Sequence, residues 1–294
     1  MAHHEPVMVE EVVAHLRPAA GGLYVDCTVG AGGHAQALLE AGASSLLGLD
    51  RDPAALELAA RRLAPWGDRV ELVHADYRDV GAVLDARGIE AVDGALADLG
   101  VSSMQLEGEG RGFSFRRDEP LDMRMDRTQG PTAADLLRDV AESDLADVIF
   151  SLGQERHSRR IARSIVAARR LAPLTSTAQL ASVVRRAIPR RGWSRIDPAT
   201  RTFQALRIWV NRELEDVDKF LEDLLCRLRA GARLVVITFH SLEDRIVKHT
   251  LRGLVKAGEA LRILTPRPLV PGDDEVARNP RARSAKLRAA ERLA

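Results

Sequence analysis

Residues Tyr24 to His34 (Tyr-Val-Asp-Cys-Thr-Val-Gly-Ala-Gly-Gly-His) constrain the fold more than any other stretch of this chain. An apolar strand runs into a glycine-rich turn and on into a helical pattern. Asp50 closes the next apolar run, Leu46–Leu49, twenty residues past Gly30. Glycine lets the backbone pass close to a ligand, and a helix N-terminus presents free N–H groups. An acid at that spacing can hold the two hydroxyls of a ribose. The first fifty residues read as a nucleoside-cofactor site on an α/β fold.

Two cofactors compete for that site. Gly30-Ala31-Gly32-Gly33-His34-Ala35 fits the loose dinucleotide pattern G-x-G-x-x-A, a weak match by itself. Asp26 argues the other way, because a carboxylate just ahead of the first glycine repels a pyrophosphate. S-adenosylmethionine carries an ammonium and a sulfonium and no phosphate, so an acid there suits it. On these residues alone an NAD-dependent dehydrogenase stays open beside a methyltransferase.

With 294 residues and 46% hydrophobic content, the chain can bury one large core or two smaller ones. Cys27 and Cys226 stand far apart with no metal-ligand spacing, so each is expected to be a small buried hydrophobe in a reducing cytoplasm. No Cys or His cluster suggests a metal. The N-terminus lacks the basic start and apolar core of a signal peptide, and no apolar run reaches eighteen residues, so no membrane partner is expected.

The net charge of +1 hides a segregation. Ser151 to Arg212 holds fourteen arginines, no lysine and two acids, Glu155 and Asp197, for +12; the rest of the chain is −11. Arg278 to Arg292 adds a second basic stretch, with six basic residues and one acid. Charge runs are usually solvated helix faces, but those lace both signs together. Arginine without lysine favours bidentate phosphate contacts and base stacking, so the excess points to nucleic acid.

The first half alternates strand and helix. Strands are expected at Leu23–Cys27, Ser45–Asp50, Val70–His74 and Gly94–Leu99, and helices at His34–Ala41, Pro53–Leu63 and Asp79–Arg87. Such alternation means a parallel sheet with right-handed crossovers. Asp26, Asp50, Asp76 and Asp98 all stand at or just past strand C-termini, the edge that lines the ligand crevice of an open α/β sheet. Any one of them could be a helix cap; four together suggest a site. The next strand, Arg233–Phe239, lies about 130 residues on, so the gap holds an inserted domain. Within it Thr132–Leu137, Glu142–Phe150, Ser158–Arg170, Thr177–Ala187 and Pro198–Leu228 read as helical, and Arg281–Glu291 reads as an irregular or edge strand. The domains are expected at 1–104 with 205–294 for the core, and 105–204 for the helical insertion.

Several long motifs then occur in order: His4-Glu5-Pro6-Val7-Met8, Asp98-Leu99-Gly100-Val101-Ser102-Ser103, Arg111-Gly112-Phe113-Ser114-Phe115, Pro120-Leu121-Asp122-Met123-Arg124-Met125-Asp126, Ala199-Thr200-Arg201-Thr202-Phe203-Gln204-Ala205-Leu206-Arg207, Phe239-His240-Ser241-Leu242-Glu243-Asp244-Arg245, and Asn279-Pro280-Arg281-Ala282-Arg283-Ser284. Nearly the whole chain thereby resembles the MraW/RsmH family. The resemblance implies a Rossmann-like class I methyltransferase core, mostly parallel with helices on both faces, and an inserted all-helical substrate-recognition domain. It implies S-adenosylmethionine as cofactor and the small ribosomal subunit with its 16S ribosomal RNA as partner. The implied reaction is methylation of the N4 amine of a cytosine in the decoding region.

Carried over motif by motif, Gly32, Gly33 and His34 would form the turn against the methionine moiety, and Asp50 would hold the ribose. Tyr77 would pack on the adenine; Asp98 and Gln105 would complete the cofactor site. Met104 stands where the family commonly has proline, and Glu119 where it commonly has glycine. Asp98 ends the fourth strand, where amine methyltransferases often place the acid that accepts from the reacting amine, so it is the catalytic candidate; service to the cofactor alone is the other role open to it. Phe113 and Phe115 would stack on the base or merely anchor their loop. His34 has the bland reading of a turn or cap histidine. His240, Ser241 and Asp244 match no nucleophile elbow. Arg159, Arg160 and Arg163 are the candidate RNA contacts. A non-catalytic RNA-binding assembly factor with a retained cofactor fold is the alternative from another class. The sequence leaves the oligomeric state open, a homodimer included.

Overall fold

A computed structural model describes residues 6–18, 22–188 and 197–294. His4 and Glu5 of the first motif, and Arg190, Arg191 and Arg195 of the basic segment, lie outside the described residues. In chain order the elements are α1 (Val9–Leu16), β1 (Leu23–Asp26), α2 (Gly33–Glu40), β2 (Ser45–Asp50), α3 (Pro53–Leu63), β3 (Val70–His74), α4 (Val80–Asp85) and β4 (Val92–Asp98). Six helices follow: α5 (Ser103–Glu107), α6 (Ala133–Asp139), α7 (Glu142–Gly153), α8 (Ser158–Leu171), α9 (Thr177–Ala187) and α10 (Thr200–Asn211). The chain ends with α11 (Val217–Cys226), β5 (Leu228–Thr238), α12 (Ser241–Ala257), β6 (Leu261–Ile263), α13 (Asp273–Arg278) and β7 (Lys286–Arg292).

The strands form one sheet in the order β3-β2-β1-β4-β5-β7-β6. Neighbours from β3 through β5 run parallel, and β7 is antiparallel to both β5 and β6. This is the mostly parallel, Rossmann-like arrangement that the family resemblance implies. β2 (Ser-Leu-Leu-Gly-Leu-Asp) is apolar almost throughout because both sheet faces are covered. Alternate residues serve opposite faces. Leu47, Leu49, Ala95, Ala97, Leu234 and Val236 meet Val80, Leu84, Phe220, Leu224, Val247 and Leu251 of α4, α11 and α12. Leu46, Leu96, Val235 and Ile237 meet Val12, Leu16, Leu38, Ala59 and Leu63 of α1, α2 and α3.

The chain divides into two compact units, Met1–Gly100 with Leu214–Ala294, and Val101–Glu213. The boundaries expected at 104/105 and 204/205 shift, because α10 packs on α7 and shares the second unit's core through Phe203 and Leu206. That core also takes Leu145, Ile149, Ile161, Ile165, Leu180 and Val184 from α7, α8 and α9.

Three further expectations are corrected. The single helix expected over Pro198–Leu228 is two, broken between left-handed Arg212 (φ 53°) and Asp216 (φ 55°). The C-terminal segment is not an edge strand: β7 lies between β5 and β6. Cys226 is exposed at the end of α11, whereas Cys27 is buried as expected. Among the described residues no helix is long and apolar enough to cross a membrane.

Candidate active site

The strand order reverses between β1 and β4, and in an open sheet ligands bind beyond the strand C-termini at such a point. Both strands end there in an aspartate, Asp26 and Asp98. After β1 the backbone turns through Gly30 (φ 53°) and Gly32 (φ 81°), left-handed conformations that favour glycine, and α2 starts at Gly33. A Cβ on Gly33 would sit 2.9 Å from Pro6 Cγ and 3.0 Å from Arg62 Nη1, so packing within the protein itself demands glycine there.

Asp50, at the end of β2, reaches across to this turn. Its Oδ2 accepts the Gly30 N–H at 2.8 Å and its Oδ1 accepts the Asp52 N–H at 2.8 Å. Burial raises its carboxyl to about 6 against those hydrogen bonds. The acid is thereby locked to the glycine turn, with lone pairs remaining for hydroxyl donors.

Asp26 is 1% exposed. Its Oδ1 accepts the Thr28 N–H at 3.1 Å, while its Oδ2 is buried without a hydrogen-bond partner. Burial, opposed by the Thr28 N–H and aided by the charge of Asp50, pushes its carboxyl up to about 7. Asp98 is tied to the same turn, its N–H donating to Thr28 Oγ1 at 2.6 Å. Its Oδ1 is also buried and unpartnered, and its Oδ2 lies 3.9 Å from His34 Nδ1. Burial, then the charges of Asp26 and Glu243, hold this carboxyl well above the ordinary range. A buried polar atom with no partner costs about 1–3 kcal/mol, more when charged, so two such carboxylates at one sheet edge await a cationic or hydrogen-bond-donating ligand.

His34 is buried, and its Nε2–H donates to the Val7 carbonyl at 2.8 Å. Its side chain anchors the segment before α1, and its Nδ1 edge is turned to Asp98. Tyr77 opens the turn after β3, half-buried and edge-on to Phe220 at 4.8 Å, with the Arg78 guanidinium 5.9 Å from its ring centre. Asp76 parts company with the other strand-end acids. Burial would raise its carboxyl, but bidentate Arg78 hydrogen bonds at 2.8 Å each, with Arg51 at 3.4 Å, hold it below the usual range. It also caps the Tyr77 turn through the Arg78 N–H. It is a structural acid.

Sequence reasoning assigned no role to Glu243. This carboxylate is 1% exposed, and its Oε2 accepts the Phe239 and His240 N–H groups at 2.9 and 3.2 Å at the start of α12. It adds negative charge near Asp98. The signal in sequence was a capping pattern, His-Ser-Leu-Glu, immediately after a strand.

The remaining predicted residues belong to the second unit. Gln105 is buried, and its Oε1 accepts the Ser102 N–H at 3.0 Å in a capping box that starts α5. Arg159, Arg160 and Arg163 stand on the solvent face of α8, opposite buried Ile161, Ala162, Ile165 and Val166. Arg163 lies 3.6 Å from Glu142. Elsewhere in the segment Arg185 pairs with Asp197 at 2.8 Å, and Arg207 with Glu213 at 2.8 Å. Phe113 is buried, and Phe115 packs edge-on against Phe203 at 4.8 Å under Arg185, so both anchor the unit's own core. Glu119 accepts the Gly112 N–H at 3.1 Å.

The model of the MraW methylase family matches residues 1–293. Among curated proteins, the chain is similar to "Ribosomal RNA small subunit methyltransferase H" of Geobacter sulfurreducens, 52% identical, with 99% of each chain covered. The protein of the same name from Bradyrhizobium diazoefficiens is 51% identical, with 99% of this chain and 92% of the relative covered. That from Sorangium cellulosum is 50% identical, with 99% and 91% covered. A full-length family match, these identities and an acid-lined turn at the sheet's reversal point agree: the chain belongs to the MraW methylase family.

Proposed function

We propose that this protein transfers a methyl group from S-adenosylmethionine to the N4 amine of a cytosine in the decoding region of 16S ribosomal RNA. The observation that carries the reading is the pair of buried carboxylates, Asp26 and Asp98, each with an unpartnered oxygen beside the glycine turn. The cofactor's ammonium and sulfonium suit such acids, whereas a dinucleotide would bring its pyrophosphate against them. The relatives, named as small-subunit ribosomal RNA methyltransferases, support the choice of RNA.

S-adenosylmethionine, when bound, supplies an electrophilic methyl group on a sulfonium. In this reading Asp50 holds the ribose hydroxyls, and Gly32 and Gly33 let the backbone close on the methionine moiety. Asp98 has the catalytic role in this reading. A cytosine amine is a poor nucleophile because its lone pair is delocalised into the ring. A carboxylate that accepts an N4 hydrogen favours the pyramidal amine of the transition state, where positive charge grows. The raised basicity of Asp98 also suits it to take the proton that the methylated nitrogen must shed. Tyr77 and Gln105 are assigned to the adenine and to the completion of the cofactor site. Arg159, Arg160 and Arg163 are assigned to RNA phosphates, whose contacts offset the few kcal/mol needed to splay a base out of its stack.

The test is mass spectrometry of ribosomal RNA from a deletion strain. Loss of N4-methylcytidine, restored by the wild-type gene, is the expected result. Full retention of that nucleotide with another left unmethylated would overturn the substrate assignment. In vitro, little activity on free cytidine and good activity on a small subunit or a late precursor are expected.

A further inference from the structure

Helix α12 belongs to the sheet unit, well outside the arginine-rich segment, yet it carries its own one-sided charge. Between Arg245 and Ala257 there are four lysines and arginines and no acid. Arg245, Lys248, His249, Arg252 and Lys256 recur at intervals of three to four residues. At about 100° per residue they fall within an arc of roughly 100° and span about 16 Å along the axis. Arg245, His249, Arg252 and Lys256 are exposed and Lys248 is half-exposed. The opposite face is spoken for, with Val247 and Leu251 buried against the sheet and Ile246 and Leu254 packed beside them.

A solvated face normally carries both signs, and this one does not. The helix's two acids are committed elsewhere. Glu243 is buried at the N-terminus, and Asp244 takes Arg288 at 2.7 Å and Lys286 at 3.4 Å. Neighbouring α11 exposes Asp218 and Glu222, but among the described residues no carboxylate is within ion-pairing distance of Arg245, Lys248, Arg252 or Lys256. Four uncompensated cations on a rigid rod thus face water, in a part of the chain whose overall charge is negative.

We propose that this face of α12 is a second contact surface for the RNA sugar–phosphate backbone, separate from the arginines of the helical unit. It rests on the reading that the substrate is RNA. The contact is with phosphate rather than with base edges: no aromatic interleaves the cations, and side chains three and four apart on a helix follow a line of charge. Its role is to fix the register of structured RNA on the core unit while other groups select the base.

The experiment compares wild type, the neutralised variant Arg245→Gln/Lys248→Gln/Arg252→Gln/Lys256→Gln, and the charge-keeping variant Arg245→Lys/Lys248→Arg/Arg252→Lys/Lys256→Arg. The probe is a transcript of small-subunit ribosomal RNA, titrated between 50 and 300 mM salt, with S-adenosylmethionine affinity as the control for folding. Each phosphate contact removed should lessen the slope of log K against log salt by about 0.7, so about 3 for all four. The neutralised variant should show that loss, the charge-keeping variant should keep the wild-type slope, and cofactor affinity should not move. A steep wild-type slope left unchanged by neutralisation would overturn this proposal and spare the RNA reading; a flat wild-type slope would overturn both. Equal loss in the charge-keeping variant would make the effect one of packing and would also overturn it, as would capture of anionic phospholipid vesicles, but not RNA, by the cations of α12.

Discussion

In the sheet unit Asp26, Asp98 and Glu243 are acids sunk out of water, two of them with an oxygen left unpartnered. In the helical unit the solvent face of α8 sets Arg159 and Arg160 in water, with Arg163 exposed beside Glu142 at 3.6 Å, and a charge left in water costs little. The difference teaches what each region is built to meet. Burying an uncompensated carboxylate destabilises the fold unless a ligand relieves it, so the sheet unit is shaped around a small cationic guest. Exposed arginines add little to stability and are free to meet the polyanion proposed for them. The same contrast recurs inside the sheet unit: Asp76 lies two residues past the end of β3, much as Asp98 ends β4, but it is neutralised by Arg78 and Arg51 and has nothing left to offer a ligand.

The strongest way to break this contrast is to remove the buried acid. Asp98→Ala should slow methyl transfer about 10²- to 10³-fold, the usual cost of losing one transition-state hydrogen-bond partner. Calorimetric titration of S-adenosylmethionine then sharpens its role: affinity that survives assigns Asp98 to the amine, and affinity lost with turnover assigns it to the cofactor as well. Turnover at the wild-type rate would remove Asp98 from the chemistry. Next in size, Asp50→Ala should weaken cofactor binding about 10- to 150-fold through the loss of roughly 1.5–3 kcal/mol of charge-assisted hydrogen bonding. Unchanged affinity would sink the ribose assignment.

The parts of this molecule written in local pattern were legible. Ser45–Asp50 and Pro53–Leu63 coincide with β2 and α3, because a buried parallel strand is apolar end to end and Asp52-Pro53 is a helix start in itself. What depends on distant partners was not. β6 is three residues long and pairs only with β7, so nothing local marks it, and nothing local says that β7 is an interior strand. The break between α10 and α11 rests on left-handed Arg212 and Asp216, residues that carry no glycine-like signal. In the site, the strand-end acids were visible, but which of them are satisfied was not. Arg78, two residues past Asp76, was the available hint that Asp76 is structural. Glu243 was hidden because its burial beside Asp98 depends on a chain return across the whole insertion.

The buried acids also predict a pH dependence. Asp26 has a folded-state value of about 7 against an ordinary value near 4. The folded protein therefore holds a proton that the unfolded chain loses above pH 4, and the stability present below that point drains away as pH rises to about 7. A cationic guest favours the ionised acid, so binding below pH 7 must expel the proton. S-adenosylmethionine affinity should rise about tenfold from pH 6 to pH 8 and level off beyond. Calorimetry in two buffers of different ionisation enthalpy should detect the released proton at pH 6, and Asp26→Asn should shrink both effects. Affinity flat across that range would mean that the acid does not face the cofactor's charge.

The smallest expected effect lies in the helical unit and tests the other half of the contrast. Arg159, Arg160 and Arg163 sit on one exposed face of α8, and replacing all three by Gln leaves the buried Ile161 and Ile165 face intact. Stability should move by no more than about 0.5 kcal/mol, as for other surface substitutions. If each arginine touches one phosphate of single-stranded RNA, the slope of log K against log salt should lessen by about 2. On doubling the salt, wild type should then lose about four times more affinity than the variant does. S-adenosylmethionine binding should be unaltered, because Asp26, Asp50 and Asp98, the acids proposed for the cofactor, belong to the other unit and Gln105, the residue proposed for it in this unit, is on α5 rather than α8. An unchanged slope would reduce these arginines to a solvated face. A changed slope with weakened cofactor binding would show that the two units do not divide their charges between guest and polyanion as cleanly as their burial suggests.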